Sequence, residues 1–282
     1  MTETANPEGS GIRSLTSRRS FLTGSAAALA GGALMAVPGM AKAHTTPELP
    51  RDIDVLNYAL TLEHLEYAFY RDGLEKFGER ELENARVFDG LGRYLRRRVR
   101  ENFVRIRNHE KIHAETLESV IRDLGETPVP EATYNFRTTA FTSVAKFVSV
   151  AQFLENTGVT AYDGAIAYTE AAPLLTAGAM IATVEARHAS YLNLLNGDVP
   201  FPEALDEPAA PKSISEAVQA ENGGFIVSTP EPYGPYYTLD DLCRKLPDTV
   251  APSWIARGRT EGIGDRGSLA SIPFEPVGGG PR

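Results

Sequence analysis

Residues 52 to 70 read D-I-D-V-L-N-Y-A-L-T-L-E-H-L-E-Y-A-F-Y. Leu56, Ala59, Leu60, Leu62, Glu63, Glu66, Tyr67 and Tyr70 fall at steps of three and four, the period of one face of an α-helix. Asp52 or Asp54 can cap its start, and Gly73 or Gly78 lies near its end, so the spacing predicts a helix over about 52 to 76. An acidic residue inside an otherwise apolar run, here Glu63 with Tyr70 seven residues later, is where a carboxylate faces a core rather than water.

Three more helical patterns follow. One starts near Leu91, passes through Phe103, Ile106, Ile112, Leu117 and Ile121, and stops at Gly125 before Pro128 and Pro130. The next runs from about Thr139 to Tyr168, and the last from Pro173 to Asn196-Gly197. No strand-like alternation of comparable length interrupts residues 52 to 196. The 14 residues from 125 to 138 reach at most about 46 Å, enough to return along a bundle and leave the second and third helices parallel. The expectation is an all-α antiparallel four-helix bundle with one long crossover.

Composition bounds what such a bundle can do. The chain has 282 residues, 42% hydrophobic and 23% charged, with a net charge of −9, and 22 of its 28 cations are Arg. So acidic a chain is a poor general partner for nucleic acid. Its one cysteine, Cys243, can build neither an intrachain disulfide, a thiolate zinc site nor an iron–sulfur cluster. Any metal must be held by His and carboxylates.

The second helix carries Glu110-Lys111-Ile112-His113 and the fourth Glu185-Ala186-Arg187-His188. Residues i and i+3 share one helix face, so each pair can offer a carboxylate and an imidazole to one ion. The first and third helices add Glu63 and Glu155, each with a tyrosine seven residues on, Tyr70 and Tyr162. Each half of the chain therefore supplies Glu, then Glu-x-x-His, and two halves together supply four Glu and two His for two ions. Divalent cations would neutralise carboxylates that otherwise repel. Oxygen and imidazole donors without thiolate suit Fe or Mn, and Zn also fits. The two tyrosines lie where each phenol can hydrogen-bond a carboxylate of the opposite half. Asp163 and Glu118 are candidates to orient a ligand His, and His64 and Glu66 are expected either in water or just behind the ligands.

These residues resemble the ferritin-like family. The resemblance covers about residues 52 to 196, and the opening helix is similar to that of plant desiccation-related proteins and of many exported bacterial and archaeal proteins. The ligand plan shared by bacterioferritins and rubrerythrins falls on Glu63 with Tyr70, Glu110 with His113, Glu155, and Glu185 with His188. It implies a dinuclear Fe or Mn centre, O2, peroxide or Fe(II) as reaction partners, and a homo-oligomer. No Met-rich haem site, rubredoxin-like Cys motif or cage-forming fifth helix is recognisable, which argues against an iron-storage cage and a rubrerythrin peroxidase. Two rival readings stand beside it. His109-Glu110-Lys111-Ile112-His113 matches the H-E-x-x-H of zinc metalloproteases, with Glu110 as general base; the bundle could also be a stress or structural protein whose site is vestigial.

At the N-terminus, Ser17-Arg18-Arg19-Ser20-Phe21-Leu22 precedes an Ala/Gly-rich apolar stretch and Ala41-Lys42-Ala43. This resembles a twin-arginine (Tat) signal, which implies the Tat export machinery, a final location in the periplasm, at the cell surface or outside, and residues 1 to 43 removed. Loss of four cations and two anions would leave 24 cations against 35 anions, a charge of −11. The Tat route carries folded proteins, often with a cofactor already inserted. After Gly197, 23 of the last 86 residues are Gly or Pro. Residues 197 to 282 are expected as an extended irregular segment packed on the bundle or on a neighbouring subunit, its last ten or so residues disordered. Arg93, Arg96, Arg97, Arg98 and Arg100 form the one dense basic run, expected to be an exposed helix face paired with acidic neighbours.

Overall fold

The structure is a computed structural model that describes residues 51–219 and 224–250. The Tat-like signal, residues Trp254 and Ile255, and the Gly-rich C-terminus lie outside the described residues. Four long helices dominate: α1 (Asp52–Lys76), α4 (Val99–Asp123), α5 (Val144–Ile166) and α6 (Ala172–Leu195), with two short helices α2 (Glu79–Glu83) and α3 (Arg93–Arg96) between α1 and α4.

The ring and ligand contacts give the directions. Tyr70 of α1 meets Phe103 of α4, while His64 lies beside Glu118, so α1 and α4 are antiparallel. Tyr70 reaches Glu155 and Tyr162 reaches Glu63, so α1 and α5 are antiparallel too. Gly178 approaches Ile166 and Asn193 pairs with Asn156, which makes α5 and α6 antiparallel. Helices α4 and α5 are therefore parallel and joined by the long crossover, the ferritin-like arrangement.

Local chemistry sets the ends. Ser143 caps α5 by accepting the Lys146 amide at 3.1 Å, so the helix starts at Val144, five residues later than the expected start. Pro173 sits in the first turn of α6. Gly125 after α4 and Gly197 after α6 take φ of 81° and 87°, the left-handed conformation that ends a helix. The expected start of the second helix near Leu91 is corrected. Residues 79–96 form α2, a 3-10 turn at Arg86–Phe88 and α3, which starts after Gly92, and Arg97-Arg98 separate α3 from α4. They bury Leu82 and Phe88 completely instead of extending the helix.

The segment after Gly197 forms α7 (Pro211–Ala217), α8 (Leu239–Cys243) and a strand β2 (Ile226–Ser228) that pairs antiparallel with β1 (Thr133–Tyr134) of the crossover. Strands of two and three residues leave no periodicity to detect, and among the described residues no strand approaches the helices in length. The tail crosses α5 at Gly164, where an added Cβ would lie 1.7 Å from the Ala209 carbonyl, and the Ala209 amide bonds Thr160 O at 2.9 Å. It then lies on α1. Tyr233 Oη meets Thr61 Oγ1 at 2.8 Å, and Tyr236 Oη donates to Asp54 Oδ1 at 2.7 Å. The crossover adds the Val129 amide, which donates to Asn57 Oδ1 at 2.8 Å. Helix α1 is thus buried on nearly every side. Among the described residues no helix is long and apolar enough to cross a membrane.

Candidate metal centre

Each long helix turns one stripe inward, and the stripe that packs the core also carries the polar groups. On α4, Phe103, Ile106, Glu110, His113 and Leu117 are buried at steps of three and four; on α6, Ile181, Glu185, His188 and Leu192 repeat the pattern. Glu63, Glu110, Glu155 and Glu185 have no exposed surface, and His113 and His188 have almost none.

All six meet at mid-bundle. His113 Nδ1 lies 3.2 Å from Glu63 Oε2, 3.0 Å from Glu110 Oε2 and 2.9 Å from Glu185 Oε1. His188 Nδ1 lies 3.0 Å from Glu110 Oε1, 3.3 Å from Glu155 Oε2 and 3.9 Å from Glu185 Oε2. Two groups result, Glu63–Glu110–His113–Glu185 and Glu110–Glu155–Glu185–His188, each with ligand atoms within 4.8 Å of one another. Glu110 and Glu185 belong to both.

The donor set fits divalent ions. Donors at right angles about an ion with bonds near 2.1 Å lie about 3.0 Å apart, close to the spacings around each imidazole. One N–H cannot satisfy three carboxylates, and Glu110 Oε1, Glu155 Oε2, both Glu185 oxygens and His188 Nδ1 are buried without a hydrogen bond. Buried polar atoms are rarely left so, and five together on converging carboxylates and imidazole are what a cation would satisfy.

The remaining oxygens are held by phenols. Tyr70 Oη donates to Glu155 Oε1 at 2.6 Å and Tyr162 Oη to Glu63 Oε1 at 2.5 Å, each across to the other half as the spacing predicts. Burial raises the Glu63 carboxyl to about 8 despite the pull of His113, and it raises Glu155 well above the usual carboxylate range. Burial also opposes charge on His113 and His188, but the surrounding carboxylates prevail and hold both imidazoles protonated far above their ordinary range. Burial pushes the Glu185 carboxyl up, but the two nearby imidazoles prevail and draw it below the usual carboxylate range.

Of four neighbours three depart from expectation, while Glu66 lies just behind the cluster, one of the two places expected for it. Glu66 is buried one turn after Glu63, its carboxyl raised by burial and then by Glu185. His64 is buried but turned away, with Nε2 3.4 Å from Val129 O. Glu118 orients no ligand imidazole and lies 3.7 Å from His64 Nε2. Asp163 is half-buried beside Asp206 and forms no hydrogen bond with His113 or His188.

His109 is the residue sequence reasoning assigned to another chemistry. Its ring stacks on His188 with centroids 5.1 Å apart, and Nδ1 lies 2.9 Å from His188 Nε2. His113 instead directs Nδ1 into the carboxylates, so the two histidines of H-E-K-I-H use Nδ1 on different partners. The available signal was its place one turn before His113, on the face turned toward α6. His109, Ile112, His113, Val184, Arg187 and His188 line an open pocket of about 250 Å³ over the imidazole edges.

Residues 51–198 match the model of a family described as a ferritin-like domain. The chain belongs to the ferritin-like domain family. A search of the curated proteins finds no match. The ferritin-like region coincides with α1 through α6 and contains every residue of the buried Glu/His cluster.

Proposed function

We propose that this is a dinuclear metal–carboxylate protein in which Glu63, Glu110, His113, Glu155, Glu185 and His188 hold two Fe or Mn ions. The observation that carries the reading is the pair of buried Glu/His groups sharing Glu110 and Glu185. Glu110 and Glu185, which belong to both groups, would serve both ions, Glu63 with His113 would complete one site and Glu155 with His188 the other. Such ions supply a divalent–trivalent redox couple and open positions for O2 or peroxide. Tyr70 and Tyr162 hold the Glu155 and Glu63 carboxylates in place, and the apolar surroundings exclude water from the acidic cluster. The activity is oxidation of Fe(II) by O2 or peroxide, or disposal of those oxidants as stress protection, outside the cytoplasm after Tat export. Export is supported by Arg18-Arg19 with Phe21 and Leu22 and by Ala41-Lys42-Ala43. The resemblance of the opening helix to desiccation-related proteins supports the stress role. The zinc-protease reading is not favoured, because among the described residues His109 belongs to neither group of side chains placed to hold a metal ion.

Metal analysis of chain produced with added iron or manganese tests the centre: about two ions per chain is expected, and none would sink the proposal. Zinc bound in place of iron, and lost in His109→Ala but not in Glu155→Ala, would restore the protease. Anaerobic Fe(II) loading followed by O2 or peroxide, watched by absorbance and Mössbauer spectroscopy, tests the activity, which must vanish in Glu110→Ala and Glu185→Ala. N-terminal sequencing of the exported chain tests removal of residues 1 to 43.

A further inference from the structure

The two Glu-x-x-His pairs align Glu110 with Glu185 and His113 with His188, and the residue before each Glu is then His109 in one half and Val184 in the other. His109 crosses to the opposite half and bonds His188 Nε2 at 2.9 Å. Val184 lines the same pocket but has no polar atom, and among the described residues His113 makes hydrogen bonds through Nδ1 alone. The nitrogen that faces away from the carboxylates therefore has a fixed partner on His188 and, among the described residues, none on His113.

A ligand histidine whose far N–H is bonded to an acceptor keeps one tautomer, one ring orientation and a more basic ligand nitrogen. For His188 that acceptor is His109 Nδ1, and the stacked rings limit rotation about the ligand's Cβ–Cγ bond. His113 also lines the pocket, and among the described residues it has no fixed partner beyond those at Nδ1.

We propose that His109 is a positioning residue that makes the two metal positions unequal: the ion capped by His188 binds first and leaves last, and the ion capped by His113 is the exchangeable one. The inference rests on the dinuclear reading above. It gives H-E-K-I-H a purpose other than holding zinc, and it assigns the pocket over the imidazoles as the side through which the second divalent ion comes and goes.

The test is a Co(II) titration of the full metal-free chain, followed by calorimetry and by the visible bands of bound Co(II). Two unequal steps are expected. His109→Ala weakens the first about tenfold, at the low end for such partners because His109 is open to water, and leaves the second unchanged. His109→Asn, whose Oδ1 can stand where Nδ1 does, recovers most of the loss. In a Glu63→Ala background, which keeps the His188 side whole, His109→Ala must weaken the remaining ion; in a Glu155→Ala background it must not. Equal affinities in the unmodified chain, or a His109→Ala loss shared by both ions, would overturn this inference alone. No Co(II) binding by the unmodified chain would overturn the dinuclear reading and this one with it.

Discussion

In the first half of the bundle Glu63 is followed one turn later by Glu66, and Glu110 is preceded by His109; in the second half Gly158 and Val184 stand at those places. The six candidate ligands and two tyrosines repeat, while the residues beside them do not. Two similar ions need similar donors, so the ligand positions are bound together by chemistry, and their neighbours are free to diverge. The divergence is itself correlated. An added Cβ at Gly158 would lie 3.1 Å from Glu66 Oε1 and 3.6 Å from Glu185 Oε2, so the side chain missing from the second half leaves room for the extra carboxyl of the first. Surroundings differ as well: α1 is roofed by the crossover and the tail, whereas Met180 and Leu194 of α6 face water.

The largest effect separates shared from unshared ligands. Glu110→Ala or Glu185→Ala should remove both ions, because each carboxylate belongs to both groups. Glu63→Ala or Glu155→Ala should leave one ion, on the side whose own carboxylate remains. Metal analysis with Co(II) bands reads this directly, and equal losses in all four variants would erase the distinction.

Next comes pH. The folded, metal-free chain keeps a proton on Glu63 up to about 8, while the unfolded chain releases it near the ordinary value of 4.5. Folding therefore takes up protons in that window, and stability falls as pH rises through it. His113 and His188, also raised, act in the same direction above the ordinary imidazole value of 6.5. Glu185, lowered, acts oppositely but only below 4.5. The melting temperature of the metal-free chain should fall from pH 5 to pH 9. Metal displaces those protons, so added Mn(II) should restore about 3 to 4 kcal/mol when present at 100 to 1,000 times its Kd, with most recovery at the alkaline end. A flat profile without metal would mean that the buried acids are not held protonated.

The candidate ligands were legible because helix spacing decides which side chains share a face and a metal centre would call for carboxylate and imidazole together: Glu63 with Tyr70 and Glu155 with Tyr162 foretold the crossed phenol contacts. What covers α1 was not. Asp54, Asn57 and Thr61 sit at steps of three and four with nothing in their spacing to name a partner, yet they receive Tyr236, the Val129 amide and Tyr233. A polar stripe bonded by a distant segment looks in sequence like one bonded by water. The arginine run was half legible. Arg96 pairs with Asp89 at 3.3 Å and Arg98 with Glu101 at 3.1 Å, but the helix expected to carry the run is broken inside it, at Arg97-Arg98.

The unequal covering has its own test. The tail reaches α1 only after passing α5 at Gly164, against the Ala209 carbonyl, which is backbone and cannot swing aside. Gly164→Ala should cost about 2 kcal/mol, as overpacking of a close contact does. It should also speed proteolysis within residues 200–250 while leaving metal content unchanged. A loss of metal would show that the roof over α1 helps to hold the centre.

The smallest effect sharpens what the halves share. Tyr70→Phe and Tyr162→Phe each remove one phenol from a buried carboxylate oxygen, at 2.6 Å and 2.5 Å. Each should cost about 1 kcal/mol of stability, the ordinary net worth of a hydrogen bond. Because each tyrosine serves the opposite half, Tyr70→Phe should weaken the ion beside Glu155, and Tyr162→Phe the ion beside Glu63. The Co(II) titration separates these outcomes by the step that moves. If instead each substitution weakened the ion on the tyrosine's own half, the crossed pairing would not be the arrangement that holds the metal. The two halves would then be independent sites that happen to touch.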